Sequence, residues 1–368
     1  MRSLARRPET PIGKLTVSCF IVPTDSPESD GTLQWSKTTL VVAEVPAGDR
    51  RGLGYTYADV ATGHFILEVL AETIEGRDAM DVPGCWAAMA AAIRNHGRPG
   101  VASMAMAAVD AALWDLKARL LELPLASLFG RARDGVPIYG SGGFTSYTDS
   151  QLANQLEGWV SRGITQVKMK VGREPERDPH RVKIARNAIG PTPKLYVDAN
   201  GAYSRKQALA LARVFEEYGV SWFEEPVSSD DLEGLRLIRD RGPAGMDIAA
   251  GEYGYRLTYF RRMLEAQSVD VLQADATRCG LSGFIGAAAL CEARSLPLSA
   301  HCAPSLHAHA GCALAPMRNI EYFHDHVRIE RMLFDGVVEP KRGVLRPDLS
   351  RPGLGLELKR ADAERYAA

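Results

Sequence analysis

Three acidic residues lie at the ends of three short apolar runs that follow one another along the chain. Asp198 lies in KLYVDAN, Glu224 in SWFEEP and Glu252 in MDIAAGE. Runs of this length and composition predict β-strands, and adjacent parallel strands lie about 4.8 Å apart. The three carboxylates can therefore converge, and their mutual repulsion favours a hard dication such as Mg²⁺. Solvated loop acids are the alternative, but their recurrence at equivalent strand ends argues against it.

Two lysines lie in the run before these acids. Lys168 and Lys170 are two residues apart in QVKMKV, so a strand places both side chains on one face. A lysine with an ordinary pKa of about 10.4 must lose roughly 3 units to act as a base near neutrality. A second ammonium and a nearby dication can lower the pKa by repulsion. Ion pairs with the barrel acids are the alternative.

A carboxylate and an imidazole lie at the ends of the next two runs. Asp275 ends SVDVLQAD and His301 ends LPLSAH. A lone histidine at a strand end is more often a core residue, but a carboxylate on the neighbouring strand can fix its tautomer and raise its basicity. The pair therefore indicates an acid/base group.

The elements that carry these residues repeat. The six apolar runs begin 22 to 28 residues apart, and helix-like segments such as 204–219 separate them. This alternation predicts βα units and a parallel sheet. Polar residues at the carboxyl ends of successive strands are typical of a (β/α) barrel. We place its first strand at Val136 and its eighth near 319–323.

The residues before the barrel have a different pattern. They predict an α+β domain with three strands followed by three helices, namely 14–22, 38–46, 52–58, 64–74, 86–95 and 102–121. The polar stretch 23–35 is expected to be a mobile loop over the site. Asp110 and Asp115 lie in the last helix, where hydrogen bonding within the protein is the expected role of a buried aspartate.

The chain after Lys341 is rich in Gly and Pro and is expected to run in extended form back to the first domain. The predicted division is therefore a capping domain at 1–130, a catalytic barrel at 131–341 and a returning segment at 342–368.

Composition excludes several classes of protein. The 368 residues carry a net charge of −1 and are 46% hydrophobic, which argues against nucleic acid and membrane-surface partners. The basic stretch 1–13 lacks the apolar run of a secretory signal, and no segment approaches the roughly 18 apolar residues of a membrane span. Six cysteines without paired spacing indicate reduced thiols and a cytoplasmic protein, and not a disulfide framework or zinc site.

The ordered set of motifs resembles the enolase superfamily, in its mandelate racemase/muconate lactonizing enzyme-like branch and the mandelate racemase subgroup. The matching motifs are DAALWDLKARLLELPLASLFG (110–130), Lys-x-Lys (168–170), VDAN (197–200), FEEP (223–226), AAGE (249–252), QADATRCG (273–280) and SAH (299–301). The resemblance implies an α/β fold, a modified TIM barrel written (β/α)₇β, with an N-terminal α+β capping domain that closes its mouth. It also implies that the three acids are Mg²⁺ ligands.

The same resemblance assigns the catalytic groups. Lys170 corresponds to the base on one face of the substrate, and Lys168 to the neighbour that lowers its pKa. His301, oriented by Asp275, corresponds to the acid/base on the other face.

The same comparison with the family's motifs implies which residues contact the substrate. Glu321, after the eighth strand, corresponds to a glutamate that hydrogen-bonds a substrate carboxylate oxygen, and Asn200 to a polar site residue. Leu281 departs from relatives that often have Gly there. Specificity is expected from the capping loops 20–35 and 52–60, where the aromatic residues Trp35, Tyr55 and Tyr57 are candidates to line the pocket.

Five further residues have no catalytic counterpart. His324, His326 and Arg328 could contact substrate or form a surface network, and we interpret them as surface residues. His307 and His309 follow His301 on a predicted helix, where packing is the expected role.

The implied reaction is Mg²⁺-dependent abstraction of the α-proton of a small carboxylate substrate through an enediolate. Dehydration of an acid sugar to a 2-keto-3-deoxy acid is preferred, because the polar stretch 23–35 suits a hydroxylated anion. Racemisation or epimerisation of a 2-hydroxy acid is the alternative on the same frame. A barrel lyase forming a Schiff base through Lys170 and a non-catalytic protein of the same fold are alternatives of other classes. Family analogy implies a homo-oligomer, a dimer or an octamer.

Overall fold

The computed structural model describes residues 10–368, so the first nine residues of the predicted capping domain lie outside the described part. The described chain begins with an antiparallel sheet in the order β1-β2-β3. Its strands are β1 (Thr16–Ser29), β2 (Gln34–Ala47) and β3 (Arg50–Tyr57).

The prediction of a loop at 23–35 is wrong, because most of this stretch is strand. β1 continues to Ser29 across an irregularity in register between Pro23 and Glu28, and the turn spans only 30–33. Asp30 closes it, since its Oδ1 accepts hydrogen bonds from the backbone N–H groups of Thr32 and Leu33, both at 2.7 Å. The stretch contains many residues that favour turns, and these led to the prediction of a loop. It instead forms a hairpin with a bulge, which tolerates proline where the ladder of hydrogen bonds is interrupted.

Helices cover one face of this sheet, as the sequence predicts. They are α1 (Ala61–Phe65), a π-helical turn (Ile66–Leu70), α2 (Ala71–Ile74), α3 (Val82–Ala92), α4 (Val101–Leu120) and α5 (Leu125–Phe129). The two aspartates of α4 are structural, as expected. Asp110 accepts hydrogen bonds from the backbone and hydroxyl of Ser282, and Asp115 accepts from the backbone N–H of Leu53 at 2.8 Å.

Eight parallel strands then close into a barrel, since the last pairs with the first. They are β4 (Val136–Gly142), β5 (Gln166–Lys170), β6 (Lys194–Asp198), β7 (Val220–Glu224), β8 (Asp247–Ala250), β9 (Val271–Ala274), β10 (Leu298–Ala300) and β11 (Met317–Phe323). Seven helices alternate with them: α6 (Asp149–Ser161), α7 (Asp178–Ile189), α8 (Arg205–Glu217), α9 (Leu232–Arg241), α10 (Leu257–Glu265), α11 (Ala276–Ala293) and α12 (Pro304–Ala313). A further helix, α13 (His324–Leu333), follows the last strand. The predicted (β/α)₇β barrel is confirmed.

Local sequence explains where the barrel helices begin. Thr148 and Gln151 form a capping box at the start of α6, and Ser204 and Gln207 form another at the start of α8. Each box satisfies backbone N–H groups that the first turn of a helix leaves without partners.

The tail contains β12 (Phe334–Asp335), β13 (Val344–Leu345), β14 (Glu357–Leu358), α14 (Arg360–Ala363) and a 3₁₀ turn (Glu364–Tyr366). It reaches the cap, where the backbone N–H of Leu354 donates to Asp115 at 2.6 Å. It also pairs with the barrel through β13 and β4. Because the tail contacts both parts, the division at 130 and 341 stays a prediction.

The tip of the β1–β2 hairpin lies against the carboxyl ends of the barrel strands. A Cβ atom on Gly31 would come within 2.4 Å of the carbonyl oxygen of Ala199, so only glycine permits this approach. Beside it, Ser29 and Thr145 share a hydrogen bond of 2.6 Å between their hydroxyl groups. The cap therefore covers the mouth of the barrel.

The six cysteines are free thiols. Among residues 10–368, no helix has both the length and the apolar character needed to cross a membrane.

Candidate active site

The three acids predicted to bind a metal converge at the barrel mouth. Asp198 ends β6 and is paired in register with Glu224, which ends β7, while Glu252 lies two residues beyond β8. One oxygen of each carboxylate lies within 4.8 Å of the others, and all three side chains are buried.

Both lysines point into the same space and bind these acids. Lys168 Nζ lies 2.5 Å from Glu224 Oε1, 3.2 Å from Asp198 Oδ2 and 2.8 Å from Glu321 Oε1. Lys170 Nζ lies 2.5 Å from Asp198 Oδ2. The strand places both ammonium groups on the inner face, as the spacing predicts.

The protein groups alone raise the pKa of Lys170, so the predicted lowering depends on a dication bound to the same carboxylates and stays a prediction. Burial lowers the pKa of Lys170 and Lys168 adds to that effect, but the negative charges led by Asp198 outweigh both and raise it. The pKa of Lys168 is also raised, because Glu224 and Glu321 together outweigh its burial. The ion pairs with the barrel acids, which the sequence offered as the alternative, are present.

The acids respond unequally to this environment. Burial and the charge of Asp198 raise the pKa of Glu224, whereas Lys170 and Lys168 overcome burial and lower the pKa of Asp198. Glu252 Oε2 is buried and accepts no hydrogen bond from any described residue, although His301 Nε2 lies 3.3 Å away. Three convergent carboxylates, one with an unsatisfied oxygen, fit the all-oxygen ligand set that Mg²⁺ prefers.

The predicted histidine–aspartate pair forms on the opposite side of the mouth. His301 Nδ1 donates to Asp275 Oδ2 at 2.8 Å, which leaves Nε2 directed toward Glu252. Burial lowers the pKa of His301, but the charges of Glu252 and Glu321 and the bond to Asp275 raise it overall. The hydrogen bond to Asp275 therefore fixes the orientation of the imidazole ring, and the ring can carry a proton.

The two predicted substrate contacts both line the cavity. Glu321 accepts hydrogen bonds from Ser141 Oγ at 2.6 Å and from the backbone N–H of Cys302 at 3.0 Å. Asn200 has a positive φ of 46° and donates its backbone N–H to Asp198 at 2.9 Å. Its buried Oδ1 has no hydrogen-bond partner among the described residues.

An aromatic layer beneath the acids is absent from the predictions. Trp222 Nε1 donates to Glu224 Oε2 at 3.0 Å and stacks on Tyr196 with ring centroids 5.1 Å apart. The ring of Tyr139 lies 5.4 Å from Lys168 Nζ. Trp222 lies two residues before Glu224 in a strand. Because side chains alternate between the two faces of a strand, the sequence was sufficient to place Trp222 on the same inner face as Glu224.

Arg278 is a second residue that sequence reasoning missed, although it lies in the QADATRCG motif. Its Nη1 donates to the carbonyl of Glu252 at 3.0 Å and lies 3.3 Å from Glu252 Oε1. It therefore joins the acid cluster to Asp275, whose Oδ2 is 3.8 Å from Arg278 Nε. Arg278 lies in the first turn of α11, directly after the strand end that carries Asp275. This position was the feature of the sequence that could have identified it.

The surface interpretation of the last histidine cluster is wrong for one member. His326 is buried and lines the cavity. His324 Nε2 pairs with Asp25 at 2.9 Å, and Arg328 donates to the carbonyl of Pro23 at 2.6 Å, so these two fasten the cap hairpin to α13.

The packing roles of the other two histidines are as expected. His307 Nε2 accepts from the backbone N–H of Ala276 at 2.9 Å, and His309 Nδ1 accepts from that of Ala126 at 3.2 Å. Leu281, the departure from the family motif, is fully buried in the main core.

A cavity of about 410 Å³ lies between cap and barrel, and Lys170, Glu252 and His301 are in its wall. Its lining residues are Asp30, Leu33, Trp35, Lys37, Thr38, Thr39, Tyr57, Ala58, Asp59, Lys170, Asn200, Glu252, Tyr253, Asp275, Thr277, Arg278, His301, Cys302, Glu321, Phe323 and His326. Trp35 and Tyr57 line it as expected. Tyr55 instead lies behind the wall and donates to Glu330 at 2.6 Å. The volume suits a small, polar organic anion.

A capped (β/α)₇β barrel with three acids at successive strand ends defines an enzyme class, the enolase superfamily. The chain belongs to its mandelate racemase/muconate lactonizing enzyme family. Residues 19–130 match the family model "Mandelate racemase / muconate lactonizing enzyme, N-terminal domain", and residues 151–363 match "Enolase C-terminal domain-like".

Three relatives illustrate the range of similarity. L-Talarate/galactarate dehydratase of Salmonella typhimurium is 30% identical over 360 residues, which cover 93% of this chain and 87% of that protein. A mandelate racemase/muconate lactonizing enzyme-like protein from Rubrobacter xylanophilus is 57% identical, with a TM-score of 0.95 over 97% of this chain and 100% of that one. A racemase from Streptomyces coelicolor A3(2), solved with bound magnesium, is 29% identical with a TM-score of 0.91 over 97% and 100% of the two chains.

Proposed function

We propose that the protein is a Mg²⁺-dependent dehydratase of acid sugars, which converts a 2,3-dihydroxy carboxylate into a 2-keto-3-deoxy acid. One observation carries the proposal: Lys170 and His301 both line one cavity, and three convergent carboxylates lie with them. The relationship to L-talarate/galactarate dehydratase supports this reaction, because that protein is named for the dehydration of sugar diacids.

Asp198, Glu224 and Glu252 would hold the Mg²⁺. When bound, the ion supplies the positive charge that these carboxylates otherwise find on the two lysines, and it stabilises negative charge on the substrate carboxylate. Trp222 supports the site by fixing Glu224 through its Nε1 donor.

The chain's own groups move the protons. Lys170 Nζ takes the α-proton from one face of the substrate, and Lys168 beside it disfavours a second ammonium. His301, oriented by Asp275, donates a proton to the departing hydroxyl group on the adjacent carbon. The α C–H and β C–O bonds break, water leaves, and the resulting enol becomes a 2-keto acid.

Glu321 and Asn200 are proposed to hold the substrate. Glu321 lies between Lys168 and His301, at 2.8 Å and 3.6 Å from their nitrogens, so it faces the position that the reacting carboxylate would occupy. The unpartnered amide oxygen of Asn200 is available to accept a hydrogen bond from a hydroxyl group.

A panel of five- and six-carbon aldonic and aldaric acids, including galactarate, tests the function. With Mg²⁺ present, at least one acid should give a 2-keto acid that semicarbazide detects. If every acid is recovered unchanged, the dehydratase proposal fails.

Racemisation is the second candidate, because proton-transfer groups lie on two flanks of the cavity and one structural relative is a racemase. Exchange of the α-proton in D₂O with inversion and without keto acid would favour it. Borohydride trapping of a substrate adduct that persists in EDTA would favour the Schiff-base lyase.

Location and assembly are also proposals. Six free thiols support a reducing, cytoplasmic location. A dimer or octamer is expected by family analogy, and light scattering measures which is present.

A further inference from the structure

His326 lies in the cavity wall, and the reaction above does not use its contacts. It lies in the first turn of α13 and is 9% exposed. Its ring stacks on Tyr57 of the cap, with centroids 3.4 Å apart and an interplanar angle of 9°. Phe323 packs against it edge-on at 5.1 Å. Aromatic contacts on two sides fix the orientation of the ring.

The hydrogen bonds of His326 define which nitrogen carries the proton. Nδ1 accepts from the backbone N–H of Ala303 at 3.4 Å, so the neutral ring has its proton on Nε2. Nε2 itself makes no hydrogen bond to any described residue, and the ring lines the cavity. Burial, followed by the nearby charge of His301, lowers the pKa of His326 to about 3. The ring is therefore a neutral donor at physiological pH.

The bond to Ala303 also connects His326 to the general acid. Cys302 and Ala303 directly follow His301, and both have positive φ angles, 52° and 38°. A left-handed turn of two non-glycine residues needs support from its surroundings. His326 supports this turn from the side of α13.

We propose that His326 forms a hydroxyl-binding subsite, in which Nε2–H donates a hydrogen bond to the hydroxyl group on the carbon next to the substrate's α-carbon. The subsite rests on the proposed function, since it requires a hydroxylated acid. A neutral donor suits this position, because a second cation beside His301 would lower the pKa of the imidazole that must carry a proton. Lys37 also lines the cavity and can pair with a carboxylate elsewhere on the substrate.

Two diacids of the same length test the subsite. Tartrate has a hydroxyl on the carbon next to the α-carbon whichever carboxylate is bound, and succinate has none. Binding of each is measured by calorimetry with Mg²⁺, in a Lys170→Ala background that blocks turnover. His326→Phe should weaken tartrate binding about tenfold, the effect of one lost hydrogen bond, and change succinate binding less than twofold.

Two further variants separate substrate binding from support of the turn. The amide of His326→Gln can place a donor near the position of Nε2, whereas His326→Asn keeps an acceptor near Nδ1. Tartrate affinity should stay within about threefold of the reference in His326→Gln. In His326→Asn it should fall by about as much as in His326→Phe. Thermal melts establish that each variant is folded. In the protein with His326 intact, the side-chain ¹⁵N signals should show the Nε2–H tautomer, and they should shift when tartrate binds.

Several outcomes would overturn the subsite. One is an equal loss of affinity for tartrate and succinate. Another is retention of tartrate affinity in His326→Asn but not in His326→Gln. A third is an ¹⁵N signal that neither acid moves at millimolar concentration. Because binding is measured without turnover, this result is independent of the keto-acid screen. A protein that gives keto acid but fails here keeps its function and loses the subsite.

Discussion

The two flanks of the cavity are built in different ways. On the lysine flank, Lys168 and Lys170 form ion pairs with Asp198 and Glu224, the residues proposed to hold the metal. On the histidine flank, His301 takes its orientation from Asp275, which is not a proposed ligand. The charge state of the lysine flank therefore depends on what the carboxylates bind. The orientation of the His301 ring instead comes from a residue outside the proposed ligands, although the ligand Glu252 lies 3.3 Å from its Nε2. The predictions below test this contrast.

Removal of the metal should have the largest effect. EDTA is expected to lower turnover by about 10³-fold or more, because several kcal/mol of charge stabilisation are lost. Added Mg²⁺ should restore it. The contrast between the flanks predicts that the His301 ¹⁵N signals show the same Nδ1–H bond to Asp275 before and after EDTA. A metal-dependent loss of that bond would mean that the flanks are not independent.

Asp275→Asn should affect only the histidine flank. The amide can keep the contact but cannot hold the imidazole in the same tautomer or stabilise its proton, so kcat should fall by about 10² to 10⁴-fold. Mg²⁺ affinity, measured by calorimetry, should change less than threefold. A large loss of metal affinity would show that Asp275 supports the ligands as well.

Trp222→Phe should affect the lysine flank more mildly. It removes the Nε1 donor to Glu224 and keeps most of the aromatic packing over Tyr196. Loss of a partner that orients a metal ligand typically costs about 10- to 100-fold in affinity. Calorimetry with Mg²⁺ measures this, and an unchanged affinity would remove Trp222 from the support of the site.

The smallest effect is expected at the outer rim. His324 and Asp25 form an ion pair whose side chains are 25% and 47% exposed, and exposed pairs contribute about 0–1 kcal/mol. His324→Ala should change KM less than threefold. The matched His326→Phe variant, two residues away and facing inward, should change tartrate binding about tenfold. Equal effects would contradict the distinction between rim and wall.

Local patterns were sufficient for the part of the site that lies on strand ends. Asp198, Glu224 and Glu252 follow apolar runs of strand length, and parallel strands bring such positions together whatever the rest of the chain does. The barrel was predictable for the same reason, since the spacing of 22 to 28 residues encodes the connection of one strand to the next. The cap was predictable from its different pattern of strands followed by helices.

Contacts between distant segments were not predictable in this way. His326 is buried because Tyr57, more than 250 residues earlier, covers it. The pKa of Lys170 is raised because carboxylates from other strands surround it, which spacing within one strand does not reveal. The tip of the hairpin at 23–35 packs against the loop at Ala199, a contact that its turn-favouring residues do not reveal.

The most direct test of the two-flank account is α-proton exchange in D₂O by Lys170→Ala and His301→Asn, with the acid that the screen identifies. Both variants should lose keto-acid formation by about 10² to 10⁴-fold while keeping the fold and Mg²⁺ binding. Lys170→Ala should also lose exchange, and His301→Asn should retain it, because the lysine flank removes the α-proton without the histidine. Full dehydratase activity in either variant would contradict the account.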